Sequence, residues 1–337
     1  MKSNYVLINM LKVYTLKNLI VFDMKKNTLI LLFSCLCFQW SAAQTPDLSR
    51  YKQQVQRLSE DVAYFDVEKI NDQFYMIIGG GGNVGVFVGD SEVILIDNKY
   101  EVLEAVLMDA LRTFTDKPIK YMINTHFHHD HSDGNKTYGK QGIPIIAHEN
   151  SKKRMQATAE LYGGILPFLE GFVQDKYPEN ALPVITYDNK ISLHESGEHI
   201  ELYHFGYGHT DGDSVVYFTE ANIMHTGDTF VGYRYPYVDL YNGGSIQGII
   251  QVLENIAAIT NDDTIIMPGH GPISSRKEVL QIKIALTELY EKTLEGLQQG
   301  RTPKAIAASI PTTVGKAENI KLNYIKSIAL EQERAKD

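Results

Sequence analysis

The chain has 337 residues, a formal net charge of −9, and 44% apolar against 22% charged residues. That composition excludes a disordered or fibrous chain, and the length allows one large domain or two small ones with a sizeable core. The acidic balance argues against a nucleic-acid or anionic-membrane binder, which needs a basic face.

The N-terminus reads as an export signal. Met24-Lys25-Lys26 is basic, Leu29 to Phe38 is an apolar run broken only by Ser34, Cys35 and Cys37, and Ser41-Ala42-Ala43 offers a small-residue cleavage site. The run is too short to span a bilayer. This reading puts the natural start at Met24 and the signal region over residues 1–43. The alternatives are an uncleaved anchor and a lipoprotein attached through Cys35, the latter weakened by the bulky Phe33. Cleavage after Ala43 removes five lysines, one aspartate, both cysteines and the single tryptophan, Trp40; 294 residues with a charge of −13 remain. The expected product is periplasmic or secreted, has no disulfide, and has no thiolate to offer a metal. No later segment reaches 18 apolar residues, so no membrane contact is expected after cleavage.

A lead-in over residues 44–62 is expected before a catalytic domain over 63–300, followed by a helical, polar tail over 301–337. Gly79-Gly80-Gly81-Gly82-Asn83-Val84-Gly85 contains a formal GxGxxG match, but a strand follows where a dinucleotide site needs a helix. A turn at the rim of a site is the better reading. Val84–Val88 and Val93–Ile96 read as buried strands, Glu101–Phe114 as a helix, and Ile119–Ile123 and Ile143–Ala147 as strands. Ser151–Tyr162 reads as a helix, and four or five strands follow between Val184 and Met224. Ser245–Ala258 is helical, Thr264–Met267 a strand, and Arg276–Leu297 a long helix. Strand-rich segments broken by single helices predict a layered α/β or α/β/β/α domain.

Histidine carries the chemistry. Of 11 histidines, His126, His128, His129 and His131 stand in one run, Thr125-His126-Phe127-His128-His129-Asp130-His131, directly after the strand Ile119–Ile123. His126 and His128 are two apart and can face one point, while Asp130 and His131 can turn toward a second. Neutral imidazole and carboxylate suit Zn²⁺ and other borderline divalent ions. Three glycine-flanked islands fit as distant ligands: Gly208-His209-Thr210, Gly227-Asp228-Thr229 and Gly269-His270-Gly271. His129 alternates away from its neighbours and reads as exposed. His148 and His225 read as structural, and His194, His199 and His204 lie far from the motifs. Asp213 is open between supporting a ligand and capping a strand. Of the loop residues Tyr233, Arg234, Tyr235 and Tyr237, one or two are expected on a substrate-facing wall, with Tyr233 and Tyr235 the candidates. Phe168, Phe172 and Tyr177 sit in an insertion that fits a flap.

Thr125–His131, Gly208-His209-Thr210, Gly227-Asp228 and Gly269-His270-Gly271, together with Asp97 at the end of Ile94-Leu95-Ile96-Asp97, resemble the metallo-β-lactamase superfamily. The resemblance runs from about Asp66 to Leu280 and is narrowest to exported metallo-hydrolases with an Asn83-Val84-Gly85-Val86 strand and a Tyr235-Pro236-Tyr237 segment. It implies an α/β fold, the αβ/βα four-layer sandwich, with metals at one edge. By the same carry-over, His126, His128 and His209 would hold one zinc. Asp130, His131 and His270 would hold the second, with Asp228 bridging and a hydroxide between the metals attacking a carbonyl. Asp130 is also the candidate to orient that nucleophile or move its proton. Asp97 is the candidate to fix a ligand imidazole from behind, with a turn cap as the plainer alternative.

The expected function is an exported two-zinc hydrolase of a small cyclic amide, ester or thioester, β-lactams included. A cysteine-ligand lactamase is excluded, because Asp228 takes that place. The all-histidine lactamase subclass shares the other ligands but typically lacks the bridging aspartate. A lactonase remains open, although Val231 stands where acyl-homoserine lactonases carry tyrosine. So does a glyoxalase II-like thioesterase, although its substrate-binding residues have no visible counterpart after Arg276. An iron oxidoreductase similar to persulfide dioxygenases and a metal-stabilised binding protein are further alternatives. The expected partner is a small-molecule substrate, with no nucleic acid; the sequence gives no oligomeric state.

Overall fold

The computed structural model describes residues 49–161, 173–311 and 318–335. The signal region and the flap residues Phe168 and Phe172 lie outside them. Helix α1 (Ser49–Asp61) leads into β1 (Asp66–Lys69), β2 (Phe74–Ile78), β3 (Val84–Val88) and β4 (Val93–Ile96), an antiparallel meander. Helix α2 (Glu104–Arg112) then crosses over to β5 (Ile119–Ile123), parallel to β4. Two one-turn helices, α3 (His129–Ser132) and α4 (Asn135–Tyr138), precede β6 (Ile145–His148) and α5 (Glu149–Met155). Strands β7 (Ala159–Glu160) and β8 (Val173–Gln174) pair with each other, and β9 (Ile185–Tyr187) joins the far edge of the first sheet. That sheet has the order β1-β2-β3-β4-β5-β6-β9.

The second sheet takes β10 (Lys190–Glu195), β11 (Glu198–Tyr203), β12 (Val215–Phe218) and β13 (Ile223–His225); after α6 (Ile246–Ile259) it adds β14 (Ile265–Met267) and β15 (Ser274–Ser275). Helices α7 (Arg276–Gln298), α8 (Pro303–Ser309) and α9 (Glu318–Arg334) close the chain. Among the described residues, no helix is long and apolar enough to cross a membrane.

The central strands, such as β3 and β4, are buried on both faces, and the period of two divides their side chains between layers. Val84, Val86, Val93 and Leu95 pack outward on Leu103, Leu107 and Leu111 of the α2 region. Their neighbours Phe87, Ile94 and Ile96 point inward and meet Ile200, Leu202, Val216 and Phe218 of the second sheet. On the far side, Val215, Met224 and Ile266 pack on Ile249, Leu253 and Ile256 of α6 and Leu286 of α7. Helix, sheet, sheet and helix therefore stack as the expected four layers, each fully buried aliphatic side chain contributing roughly 1.5–3 kcal/mol.

Three local expectations need correction. The helix expected over Ser151–Tyr162 is α5, which starts at Glu149 because His148 Nδ1 accepts the Asn150 N–H at 3.2 Å and caps it. It stops at Met155, and Ala159–Glu160 turns into strand pairing instead. The C-terminal tail is helical but not merely polar. Ile306, Tyr324, Ile325 and Ile328 are fully buried in the core shared with α6 and α7.

The topology gathers loops at one edge. Strands β4 and β5 run parallel with Ile96 beside Ile123, and β13 and β14 run parallel with His225 beside Met267. Each of these four strands ends just before a motif, so Asp97, Thr125–His131, Asp228 and His270 leave the two sheets at their carboxyl ends. Open α/β sheets place ligands at that edge.

Candidate metal centre

The loop after β5 bends through Thr125, His126 and Phe127 and then turns into α3 at His129, so its side chains fan in two directions. All seven expected ligand residues come together. Their donor atoms form three overlapping groups: His126, His128 and His209; His126, His131 and Asp228; Asp130, His131 and His270. His209 Nε2 lies 2.9 Å from His128 Nδ1. His131 Nε2 lies 3.3 Å from His270 Nε2 and 3.2 Å from Asp228 Oδ1. The other Asp228 oxygen is 3.4 Å from His270 Nε2 and 3.8 Å from His209 Nε2, so this carboxylate stands between the clusters. Asp130 Oδ2 is 3.3 Å from His270 Nε2.

The rear atoms of the rings decide which nitrogen faces the centre. His209 Nδ1 is committed to the Tyr237 carbonyl at 2.8 Å. His128 Nε2 is committed to Asp239 Oδ2 at 2.9 Å. His131 Nδ1 meets Asp97 Oδ2 at 2.7 Å, and His126 Nδ1 meets Thr125 Oγ1 at 3.0 Å. Thr125 in turn donates its hydroxyl and its N–H to the two oxygens of Asp97, at 2.8 and 2.7 Å. Asp97 therefore supports two ligand rings at once, holding a backbone φ of +65° to do so. This exceeds the turn-cap alternative.

Electrostatics divides the ligands into two kinds. Burial, reinforced by the neighbouring His131, His209 and His128, pushes the His126 pKa well below its ordinary value. Burial also takes His128 to about 4, against the opposing pull of Asp239. For His131, burial is outweighed by Asp228, Asp130 and Asp97, and the pKa rises. His270 rises to about 9 as Asp228 and Asp130 overcome its burial. Burial acts to raise both carboxylates, but His131 and His270 hold Asp130 below the usual range, and His270 and His131 hold Asp228 well below it. The centre thus keeps two buried carboxylates ionised and His126 and His128 neutral, while His131 and His270 hold protons that a bound cation would displace. Among the described residues, His126 Nε2 and Asp130 Oδ1 are buried without a hydrogen-bond partner. Orphaned acceptors converging in this way fit a divalent cation, and the donor set of imidazole and carboxylate is the one such ions take.

A family model, that of the metallo-beta-lactamase superfamily, matches residues 77–270, more than half of the chain. The chain belongs to the metallo-beta-lactamase superfamily. Members of this superfamily are metal-dependent hydrolases, and the His/Asp clusters described here are able to bind metal ions. A relative in Pseudomonas sp., named linear primary-alkylsulfatase, is 23% identical over 254 residues, 65% of this chain. The chain spans about half of that relative, 48% of its length. A probable metallo-hydrolase of Methanocaldococcus jannaschii is 28% identical over 207 residues, 59% of this chain and 91% of the relative. Among solved structures, the DIM-1 metallo-beta-lactamase superposes with a TM-score of 0.54 at 18% identity, covering 68% of this chain and 99% of its own. That likeness is one of fold.

Other expectations divide. Tyr233 is exposed and lies against Gly271, beside His270, at the rim of the centre. Tyr235 is not on that rim: it is buried, its ring 5.3 Å from that of Tyr324 on α9, so it belongs to the core. His129 is not exposed either. The chain has entered α3 there, which breaks the alternation and turns the ring onto Tyr100 and Gln174. Tyr177 is buried, its hydroxyl 3.0 Å from Ser132 Oγ. Asp213 accepts the Thr210 N–H at 3.0 Å and so ties down the His209 loop. His225 is buried beneath the centre against Gly85, and His148 stacks on His204 with centroids 3.8 Å apart. His194 and His199 stack across the β10–β11 hairpin.

Two supporting residues escape a reading of the sequence. Asp239 backs His128 and is itself held by Asn242 Nδ2 at 2.8 Å, yet it stands alone in a loop without a motif. Lys99 is fully buried, and its ammonium donates to the carbonyls of Gly79 and Gly82 at 2.6 Å. Burial pulls its pKa down to about 7, against Asp130 and Asp97. A single lysine beside a motif aspartate carries no signal of that role.

Proposed function

We propose that this protein is an exported hydrolase that uses two zinc ions to open a small cyclic amide, ester or thioester, β-lactam rings among them. The observation that carries this reading is the convergence of seven buried or half-buried imidazoles and carboxylates, with Asp228 between two clusters. His126, His128 and His209 would hold one ion and Asp130, His131 and His270 the other. When bound, such ions bring a coordinated water's pKa to about 7 and polarise a substrate oxygen.

The protein's own groups do the rest. Asp130 directs one oxygen at His270 and, among the described residues, keeps the other without a hydrogen-bond partner, which suits it to orient a nucleophile or accept its proton. Asp97 and Asp239 fix the ring orientations, so little reorganisation accompanies reaction. Tyr233 offers a wall on the His270 side.

Zinc-loaded protein assayed on β-lactams, lactones, thioesters, phosphodiesters and linear alkyl sulfates tests the reading. Turnover of a lactam, lactone or thioester, abolished by chelation and by Asp130→Ala with the fold retained, supports it. Cleavage of alkyl sulfates alone favours sulfate-ester hydrolysis, a second reading motivated by the Pseudomonas relative. One iron per chain with oxygen uptake sinks both. Export is tested by N-terminal sequencing of the protein from its native host, with Gln44 the expected first residue.

A further inference from the structure

His270 differs from the other four ligand histidines. Its side chain is 22% exposed, where those of His131 and His209 are closed to solvent, and among the described residues no protein group hydrogen-bonds its Nδ1. Its position must therefore come from its backbone, and the group that sets that backbone lies on the other sheet. Asn83, at the start of β3 and 2% exposed, donates its N–H to the Gly269 carbonyl at 2.7 Å. Its side-chain amide donates to the carbonyls of Pro268 at 2.9 Å and Gly271 at 2.8 Å. These three bonds bracket His270 on both sides.

The residue before Asn83 touches the other two ligands of the same cluster. Gly82 gives its N–H to the Asp130 carbonyl at 3.2 Å, and a Cβ there would overlap the His131 ring. Its own carbonyl is held by Lys99. Among the described residues, no hydrogen bond of Gly82 or Asn83 reaches His126, His128 or His209.

We infer that Asn83, anchored through Gly82, is a positioning residue that selectively sets the affinity of the Asp130–His131–His270 cluster for its metal ion. The inference rests on reading both clusters as metal sites. Amide chemistry is required at position 83: both N–H bonds are used, and a carboxylate there would face two carbonyl oxygens with no donor. Loss of such a supporting group typically weakens metal affinity 10–100-fold.

The test is a Zn²⁺ titration of metal-free full-length protein against a chromophoric chelator, with circular dichroism to confirm folding. Wild type should bind two ions in two steps, and His270→Ala should identify the step belonging to its cluster. Asn83→Ala should weaken that same step about 10–100-fold and leave the other within about threefold. Asn83→Ser, which keeps one donor, should fall between the two. Failure of wild type to bind two ions would overturn the underlying reading. Two ions bound, with both steps or neither shifted by folded Asn83→Ala and Asn83→Ser, would overturn the role of Asn83 alone.

Discussion

The two ligand clusters use the same residue types but are supported differently. In the His126–His128–His209 cluster each ring has its rear nitrogen committed, to Thr125, Asp239 and the Tyr237 carbonyl respectively. All three side chains are buried. In the Asp130–His131–His270 cluster, among the described residues, only His131 has such a partner, Asp97, and His270 depends on main-chain bonds. The first cluster has no carboxylate of its own, whereas the second contains Asp130. The difference teaches that ligand identity and ligand rigidity are separate properties. The sequence motif specifies the first, and tertiary contacts from distant loops specify the second.

The largest expected effect comes from His126→Ala, because this ring faces donor groups on both sides. Its loss should lower kcat/KM by about 10³-fold or more, since the drop in water pKa from 15.7 to about 7 depends on the metals. Metal analysis should find fewer than two ions; full occupancy in the variant would break the comparison. Asp239→Ala comes next. It should weaken the first cluster's metal step about 10–100-fold and spare the second, which stepwise titration reads directly. Asp97→Asn should weaken both steps, the second through His131 and the first through Thr125 and His126, at the lower end of that range. Asparagine tolerates the positive φ at position 97, so the fold should survive. An Asp239→Ala variant that shifts both steps equally would show that the clusters are not separately supported.

The smallest effect lies away from the centre. Burial, reinforced by His204, lowers the His148 pKa to about 4, and both ring nitrogens are engaged, with Asp188 O and the Asn150 N–H. The unfolded chain takes up its proton first, near pH 6.5. Stability contributed by neutral His148 is therefore complete above about pH 6.5 and is lost as pH falls toward 4, by on the order of 1 kcal/mol after solvent screening. Thermal denaturation from pH 7 to 4 checks this. His148→Asn, which keeps an acceptor for the α5 N–H, should flatten the dependence, and an unchanged slope would contradict it.

Much of the centre was legible because its ligands cluster in sequence or carry flanking glycines at strand ends. The layers were legible because alternating apolar runs separate two faces. What stayed hidden acts at long range. Asp239 reaches His128 across 111 positions, and Asn83 reaches the His270 loop across 185 or more. No local pattern encodes such a contact. Tyr235 turns inward because its loop folds back onto α9, and His129 because a one-turn helix begins at that position. The tail's buried face was overlooked because Tyr324, Ile325 and Ile328 are spread along a helix rich in charge.

Metal content of the protein purified without added metal, measured together with hydrolysis, tests the central claim most directly. Two zinc ions per chain are expected, with hydrolytic turnover that is lost on chelation and restored by zinc. One iron per chain with oxygen consumption, or no bound metal in a folded and active protein, would contradict it.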